Sequence, residues 1–266
     1  MVRVGTSGWQ YRSWRGPFYP PGLAQSRWLE HYAERFAAVE VNASFYRLPE
    51  AGTFARWATR VPEDFTMAVK ASRYLTHVRR LRDPAEPVAR LVERARELGG
   101  RLGPILVQLP PNLRADPPLL EEALAAFPSD LRVTVEVRHP SWFADPVREV
   151  LTRRRAALCL TDTRNRRGPV WRTADWTYLR LHWGRATPEP CYGRRALSSW
   201  AERLAEGWGR DADAYVFLNN DPGGCAVRDA AVIARALVRA GLRPTRAPDP
   251  PRGARAPDGL SARSRG

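Results

Sequence analysis

The chain has 266 residues, 44% hydrophobic and 27% charged, with ten tryptophans, a balance that supports one large core and excludes a disordered chain. No apolar run approaches the roughly 18 residues that span a bilayer, and the opening MVRVGTSGW lacks the charged-then-apolar pattern of a secretory leader, so no membrane partner is expected and a cytoplasmic location is the default. The formal charge is +15, but all 43 basic residues except Lys70 are arginine, a bias that resembles GC-rich codon usage and weakens the inference from charge to a polyanionic partner.

Short β-rich runs alternate with amphipathic stretches, the sequence form of βαβ units. Eight strands are predicted in chain order: VRVG from Val2, AVEVN from Ala38, FTMAVK from Phe65, PILVQ from Pro104, RVTVEVR from Arg132, AALCLTD from Ala156, TYLRLH from Thr177 and AYVFLNN from Ala214. Helical periodicity follows in SRWLEHYAERF from Ser26, PVARLVERARELG from Pro87, PLLEEALAAF from Pro118 and CAVRDAAVIARALVRAG from Cys225, with Gly99 and Gly241 placed as helix stops. Between Asp162 and Tyr178 the segment TRNRRGPVWRTADW has no helical face. The fold class is therefore α/β, a parallel (β/α)8 TIM-type barrel over residues 1–242 with an irregular connection in place of the sixth helix. Residues 243–266, rich in Pro, Gly, Arg and Ala, are expected to form a flexible tail.

Alternation within each strand separates the side chains that meet helices from those that face the barrel interior. It sends Val39 and Val41 outward and Glu40 and Asn42 inward; Val133, Val135 and Val137 outward and Thr134, Glu136 and Arg138 inward; Leu179 and Leu181 outward and Tyr178, Arg180 and His182 inward. Lys70 and Gln108 fall on the same side of their strands. These polar positions lie toward the C-terminal strand ends, where such barrels build active sites. Buried charges cost several kcal/mol, roughly, unless paired, so the cluster needs either a function or a structural ion-pair network that plugs the barrel.

Lys70 is the sharpest residue, because an ammonium, unlike a guanidinium, can lose its proton and act as acid, base, clamp or imine-forming amine. Glu40 and Glu136 are candidate general acid and base. Against two glutamates stand Lys70, Arg138 and Arg180, so a small anion is the expected partner at the mouth. His77, His139 and His182 lie near that mouth; with Glu40, Glu136 and Asp162 they offer a divalent-metal alternative, disfavoured because HExxH and paired Cys/His motifs are absent. No organic-cofactor motif is present. Asn219, Asn220 and Asp221 end the last strand before a Gly-rich turn. Cys159, Cys191 and Cys225, odd in number and widely spaced, are expected to be reduced thiols with no shared role, Cys159 in the core.

The motifs GTSGWQYRSWRGPFYP, VEVNASFYRLP, FTMAVKASRYLTH, LGPILVQLPPN, VEVRHPSWF, YLRLHW and VFLNND, in this order, resemble the YecE-like family, domain of unknown function seventy-two, over nearly everything from Gly5 to Ala240. The resemblance implies a TIM-type barrel with recurring polar positions at Glu40, Asn42, Tyr46, Lys70, His77, Gln108, Glu136, Arg138, His139, Asn219, Asn220 and Asp221. It implies no settled activity. One departure is Trp183, where the family usually has glycine, followed by the shortened PEPCYGRR. The expected function is an enzyme using Lys70, Glu40, Glu136 and His139 on a small anionic or sugar-like substrate. The alternative is a nucleic-acid-binding or nuclease-like barrel, suggested by arginines beside aromatics.

Overall fold

Closure of a sheet into a barrel requires each strand to find two neighbours, and eight do. The strands are β1 (Val2–Thr6), β2 (Ala38–Val41), β3 (Thr66–Lys70), β4 (Leu102–Gln108), β5 (Val133–Glu136), β6 (Ala157–Thr163), a two-residue β7 (Arg166–Arg167), β8 (Thr177–Leu181) and β9 (Ala214–Leu218). Parallel pairing runs β5-β4-β3-β2-β1-β9-β8-β6, and β6 returns to β5 through Thr134 and Val135 opposite Ala157 and Leu158. The short β7 lies antiparallel on β6 outside the closed ring. The structure, a computed structural model, describes residues 1–163 and 166–248, with side chains described over 1–162 and 168–248.

The outer layer contains α1 (Trp28–Arg35), α2 (Ala43–Tyr46), α3 (Ala51–Ala58), α4 (Ala85–Ala95), α5 (Pro117–Ala125), α6 (Asp145–Arg153), α7 (Arg194–Trp208) and α8 (Cys225–Arg239). Their inward stripes follow the helical repeat: α4 buries Val88, Leu91, Val92 and Ala95, against the outward side chains of the sheet. Asp116 starts α5 by accepting the Leu119 N–H at 3.1 Å, with Pro117 in the first turn, where its missing N–H costs nothing. Gly99 and Gly241 adopt φ of 56° and 78° at helix ends, as their positions suggested. Helices α2, α3, α6 and α7 go beyond the four read from periodicity. No helix occupies the described part of the β6–β8 connection.

Register places the interior residues in rings. Glu40 is opposite Ala68, Lys70 opposite Leu106, Gln108 opposite Glu136, and Arg180 opposite both Thr161 and Phe217. Below the charged ring lies an apolar plug of Ala38, Ala68, Leu106, Ala157, Cys159, Trp176, Tyr178, Tyr215 and Phe217. Gly5 makes room for it: a Cβ there would sit 2.2 Å from the Ala38 carbonyl oxygen and 3.2 Å from the Phe217 ring. At the opposite end of the strands from the mouth, Arg132 closes the bottom, donating to Asp213 at 2.7 Å and to the Tyr215 hydroxyl at 2.9 Å.

After α8 the chain returns to the first strand. Val2 N–H donates to Arg243 O at 2.9 Å, Thr245 N–H to Val2 O at 2.7 Å, and Arg246 reaches the Ala33 and Phe36 carbonyls, each at 3.1 Å. The described chain is thus tied to the barrel as far as Arg246, and the part of the expected tail from residue 249 onward lies outside the described residues. No described helix is long and apolar enough to cross a membrane.

The cysteines correct the sequence expectation. Cys191 and Cys225 form a disulfide with Cα atoms 4.9 Å apart, 34 residues distant in sequence, while Cys159 is a free buried thiol. Spacing gave no hint, because the pairing depends on β8 and β9 being neighbours, which carries the loop after β8 to the start of α8. Thiol titration of the denatured, unreduced protein should therefore find one reactive cysteine, and reduction should cost about 3–4 kcal/mol of stability for a loop of this size. Three reactive thiols would refute the pairing.

Candidate functional site

The interior ring is centred on Arg180 of β8, only 1% exposed. Its Nη2 donates to Glu40 Oε1 at 2.7 Å, and its Nη1 donates to Glu136. Tyr178, two residues earlier and so on the same side of β8, donates its hydroxyl to the other Glu40 oxygen at 2.6 Å. Glu136 also accepts from Arg138 Nε at 2.6 Å and lies 3.4 Å from His182 Nε2. Residues from three non-consecutive strands thus form one network, bearing out the convergence that alternation suggested.

Electrostatics fixes the charge states. Burial pushes the Glu40 carboxyl up, but Arg180, the Tyr178 hydroxyl and Lys70 outweigh it and hold the group below the usual carboxylate range. Glu136 suffers the same burial, and Arg180, His182 and Arg138 bring it well below. Both glutamates are therefore anions, matched to a guanidinium that buries with them. The network plugs the lumen beneath the mouth.

Lys70, at the end of β3, is set apart from these pairs. Its Nζ lies 4.1 Å from the centroid of the Phe45 ring on α2, and among the described residues it forms no ion pair within 4.0 Å. Burial lowers its pKa first, Arg180 adds to this, and Glu40 and Glu136 offset only part, leaving a value of about 8. Phe45 also meets His77 edge to face, centroids 5.0 Å apart, and Tyr46 at 5.1 Å. His77 sits on a π-helical turn, Tyr74–Val78, immediately after β3; such turns recur at functional sites.

The remaining predicted positions divide. Asn42, at the end of β2, has a buried Oδ1 without a hydrogen-bond partner among the described residues, and Gln108 is half-buried at the end of β4. Asn219 donates its amide to His182 Nδ1 at 2.8 Å, leaving the His182 Nε2–H to face Glu136. Asp221 accepts from the Trp14 indole, with burial raising its pKa. His139 lies beside Arg138, but its Nδ1 caps a short turn by accepting the Ser141 N–H at 3.2 Å. Tyr46 is 82% exposed at the rim. Asn220 points away from the mouth: fully buried, it donates to Asp229 at 2.8 Å and to Pro190 O at 3.1 Å, holding the disulfide-linked loop.

Residues 3–254 match the family model described as protein of unknown function DUF72. The chain belongs to the DUF72 family. It is 30% identical to the UPF0759 protein YecE of Escherichia coli K12 over 145 residues, 54% of this chain and 51% of YecE, so that match spans about half of the relative. It is 24% identical to YunF of Bacillus subtilis strain 168 over 268 residues, 85% of this chain and 91% of YunF. A crystal structure of a DUF72 family protein from Thermotoga maritima MSB8 superposes with a TM-score of 0.78 at 28% identity, covering 90% of this chain and 99% of that one.

Beside the predicted site residues stand Tyr178, bonded to Glu40, Phe45, packed against Lys70, and Thr76, bonded to His77. Tyr178 was legible as an interior residue, whereas Phe45 was one of many loop aromatics and Thr76 carried no signal. No group of three His, Cys, Asp or Glu residues converges as a metal site among the described residues. A separate cleft of about 550 Å³ lies outside the barrel, lined by Tyr74, Arg79, Asp83, Glu86 and Glu122 among others.

Proposed function

We propose that this DUF72 barrel is an enzyme acting on a small anion at the C-terminal mouth, with Lys70 as the reacting group. One observation carries the reading: Arg180 and Arg138 are neutralised by Glu40 and Glu136, while the Lys70 ammonium rests on Phe45 without a carboxylate partner among the described residues. An anionic substrate supplies the missing charge. An amine that titrates close to neutrality transfers protons, or attacks a carbonyl, where an ordinary lysine stays protonated.

In this reading Glu40 and Glu136 are the frame rather than the acid and base. Carboxylates held below their usual range neither give nor take a proton near neutral pH; they fix Arg180, whose charge adds to burial in lowering the Lys70 pKa, while their own charges offset part of that effect. Asn42, with its unpartnered oxygen, and Gln108 complete the walls as ligand contacts. His139, whose Nδ1 lone pair is committed to a turn, is a wall residue as well.

Because Lys70 is the one lysine in the chain, lysine labelled with carbon-13 gives a single side-chain signal. That signal should titrate with a pKa of about 8 and move when inorganic phosphate is added. An ordinary lysine titration near 10.4, or no response to phosphate, overturns the reading. The second reading, nucleic-acid binding, is favoured by exposed Arg12, Arg15, Arg47, Arg73 and Arg114 in the loops that follow strands. Oligonucleotide binding that persists at about 0.15 M salt, with Lys70 indifferent to small anions, would select it.

A further inference from the structure

The three histidines near the mouth differ in which ring nitrogen has a free lone pair. His182 accepts from Asn219 at Nδ1, and His139 accepts from the Ser141 backbone at Nδ1; each then carries its proton on Nε2. His77 is the reverse case. With the Thr76 hydroxyl proton directed to Ser72 O at 3.1 Å, the ring is the donor in the 2.9 Å contact between His77 Nδ1 and Thr76. Nε2 of the neutral ring is left as a bare acceptor, with no hydrogen-bond partner among the described residues.

Neutrality follows from the surroundings. Burial lowers the His77 pKa, and Lys70 of β3, Arg73 and Arg80 flanking the π turn and Arg138 beyond β5 lower it further. No carboxylate forms an ion pair with it among the described residues. A single aromatic ring, Phe45, supports both this imidazole and the Lys70 ammonium. The corner therefore offers cations to an anion's oxygens and one acceptor that only a donor can satisfy.

We propose that the mouth selects small anions that also bear a donor hydroxyl, the anionic oxygens meeting Lys70 and the hydroxyl being read by His77 Nε2. Hydroxy acids and hydrogen phosphates belong to this class; sulfate and simple carboxylates do not. The proposal rests on the anion-binding reading above and narrows its substrate class. Thr76 acts as a positioning residue, since its hydroxyl determines which nitrogen holds the lone pair. The physical basis is asymmetric: a bound anion lacking the hydroxyl displaces water from this half-buried acceptor without replacing its hydrogen bond.

The Lys70 signal of the full-length protein tests this with paired probes. At a pH where phosphate is the hydrogen phosphate dianion, it matches sulfate in charge and shape but carries one proton. Hydrogen phosphate should bind about tenfold more tightly than sulfate, the worth of one net hydrogen bond, and glycolate should exceed acetate in the same way. His77→Phe keeps a ring against Phe45 and should erase both preferences, with a far-ultraviolet circular dichroism spectrum like the parent's reporting that the variant is folded. Thr76→Val should erase the preference with the imidazole still present, and Thr76→Ser should restore it. Equal binding of phosphate and sulfate in the parent, or a preference that survives His77→Phe, overturns the inference alone. Failure of every anion to move the Lys70 signal overturns the anion-binding reading and this inference with it.

Discussion

Replacing Arg180 with methionine should destabilise the protein by about 3–5 kcal/mol at neutral pH, the cost of leaving buried charges without their partner. The pH dependence should invert as well. In the parent, Glu40 and Glu136 have folded-state pKa values below their unfolded ones, so their contribution is present above the unfolded carboxylate pKa and is lost as pH falls through the folded values. Without Arg180, burial dominates Glu40, which keeps only the Tyr178 hydroxyl and a distant Lys70. Its pKa then rises above the unfolded value, and stability is lost as pH rises through it. Urea unfolding across a pH series should show the variant gaining on the parent toward acid. A variant within about 1 kcal/mol of the parent at neutral pH would mean that the network is not what holds the lumen.

Lys70→Met and Lys70→Arg should both lower turnover of a hydroxy-anion substrate by roughly 10²–10⁴-fold, the usual contribution of a positioned acid or base. Arginine preserves the charge but not the ability to shed a proton, so the pair separates chemistry from binding: the arginine variant should keep much of the affinity and the methionine variant lose it. In the parent, activity that uses the free amine should rise through a pKa of about 8 as pH increases. That limb should vanish in both variants. An arginine variant with near-parental turnover would assign Lys70 to charge alone.

The site was partly legible before any coordinates. Alternation correctly put Glu40, Glu136, Tyr178 and Arg180 in the lumen, because the two-residue repeat of a strand is local and buried valines on the other face fix its phase. It could not say who pairs with whom. Glu40 and Arg180 are 140 residues apart, and their bond depends on strand order and shear. Asn220 illustrates the limit differently: it sits one residue beyond Asn219, and that single step turns it from the lumen toward α8. Helices α3, α6 and α7 lie in segments that the periodicity reading passed over. The buried α3 residues, Phe54 and Ala58, are too few to mark a stripe, whereas α7 buries Leu197, Trp200, Ala201 and Leu204 at helical spacing.

What the amino-acid sequence determined alone was the alternation of strands and helices, the parallel barrel, the lack of a helix in the described part of the β6–β8 connection and the gathering of polar side chains at one end. Those follow from short-range patterning and from the handedness of the chain. Tertiary structure decided the rest: which glutamates spend their charge on Arg180, that the one lysine is left on an aromatic ring, which histidine nitrogen is bare, and which cysteines meet. Each depends on atoms brought within a few ångströms by closure of the barrel, a distance that sequence separation does not encode.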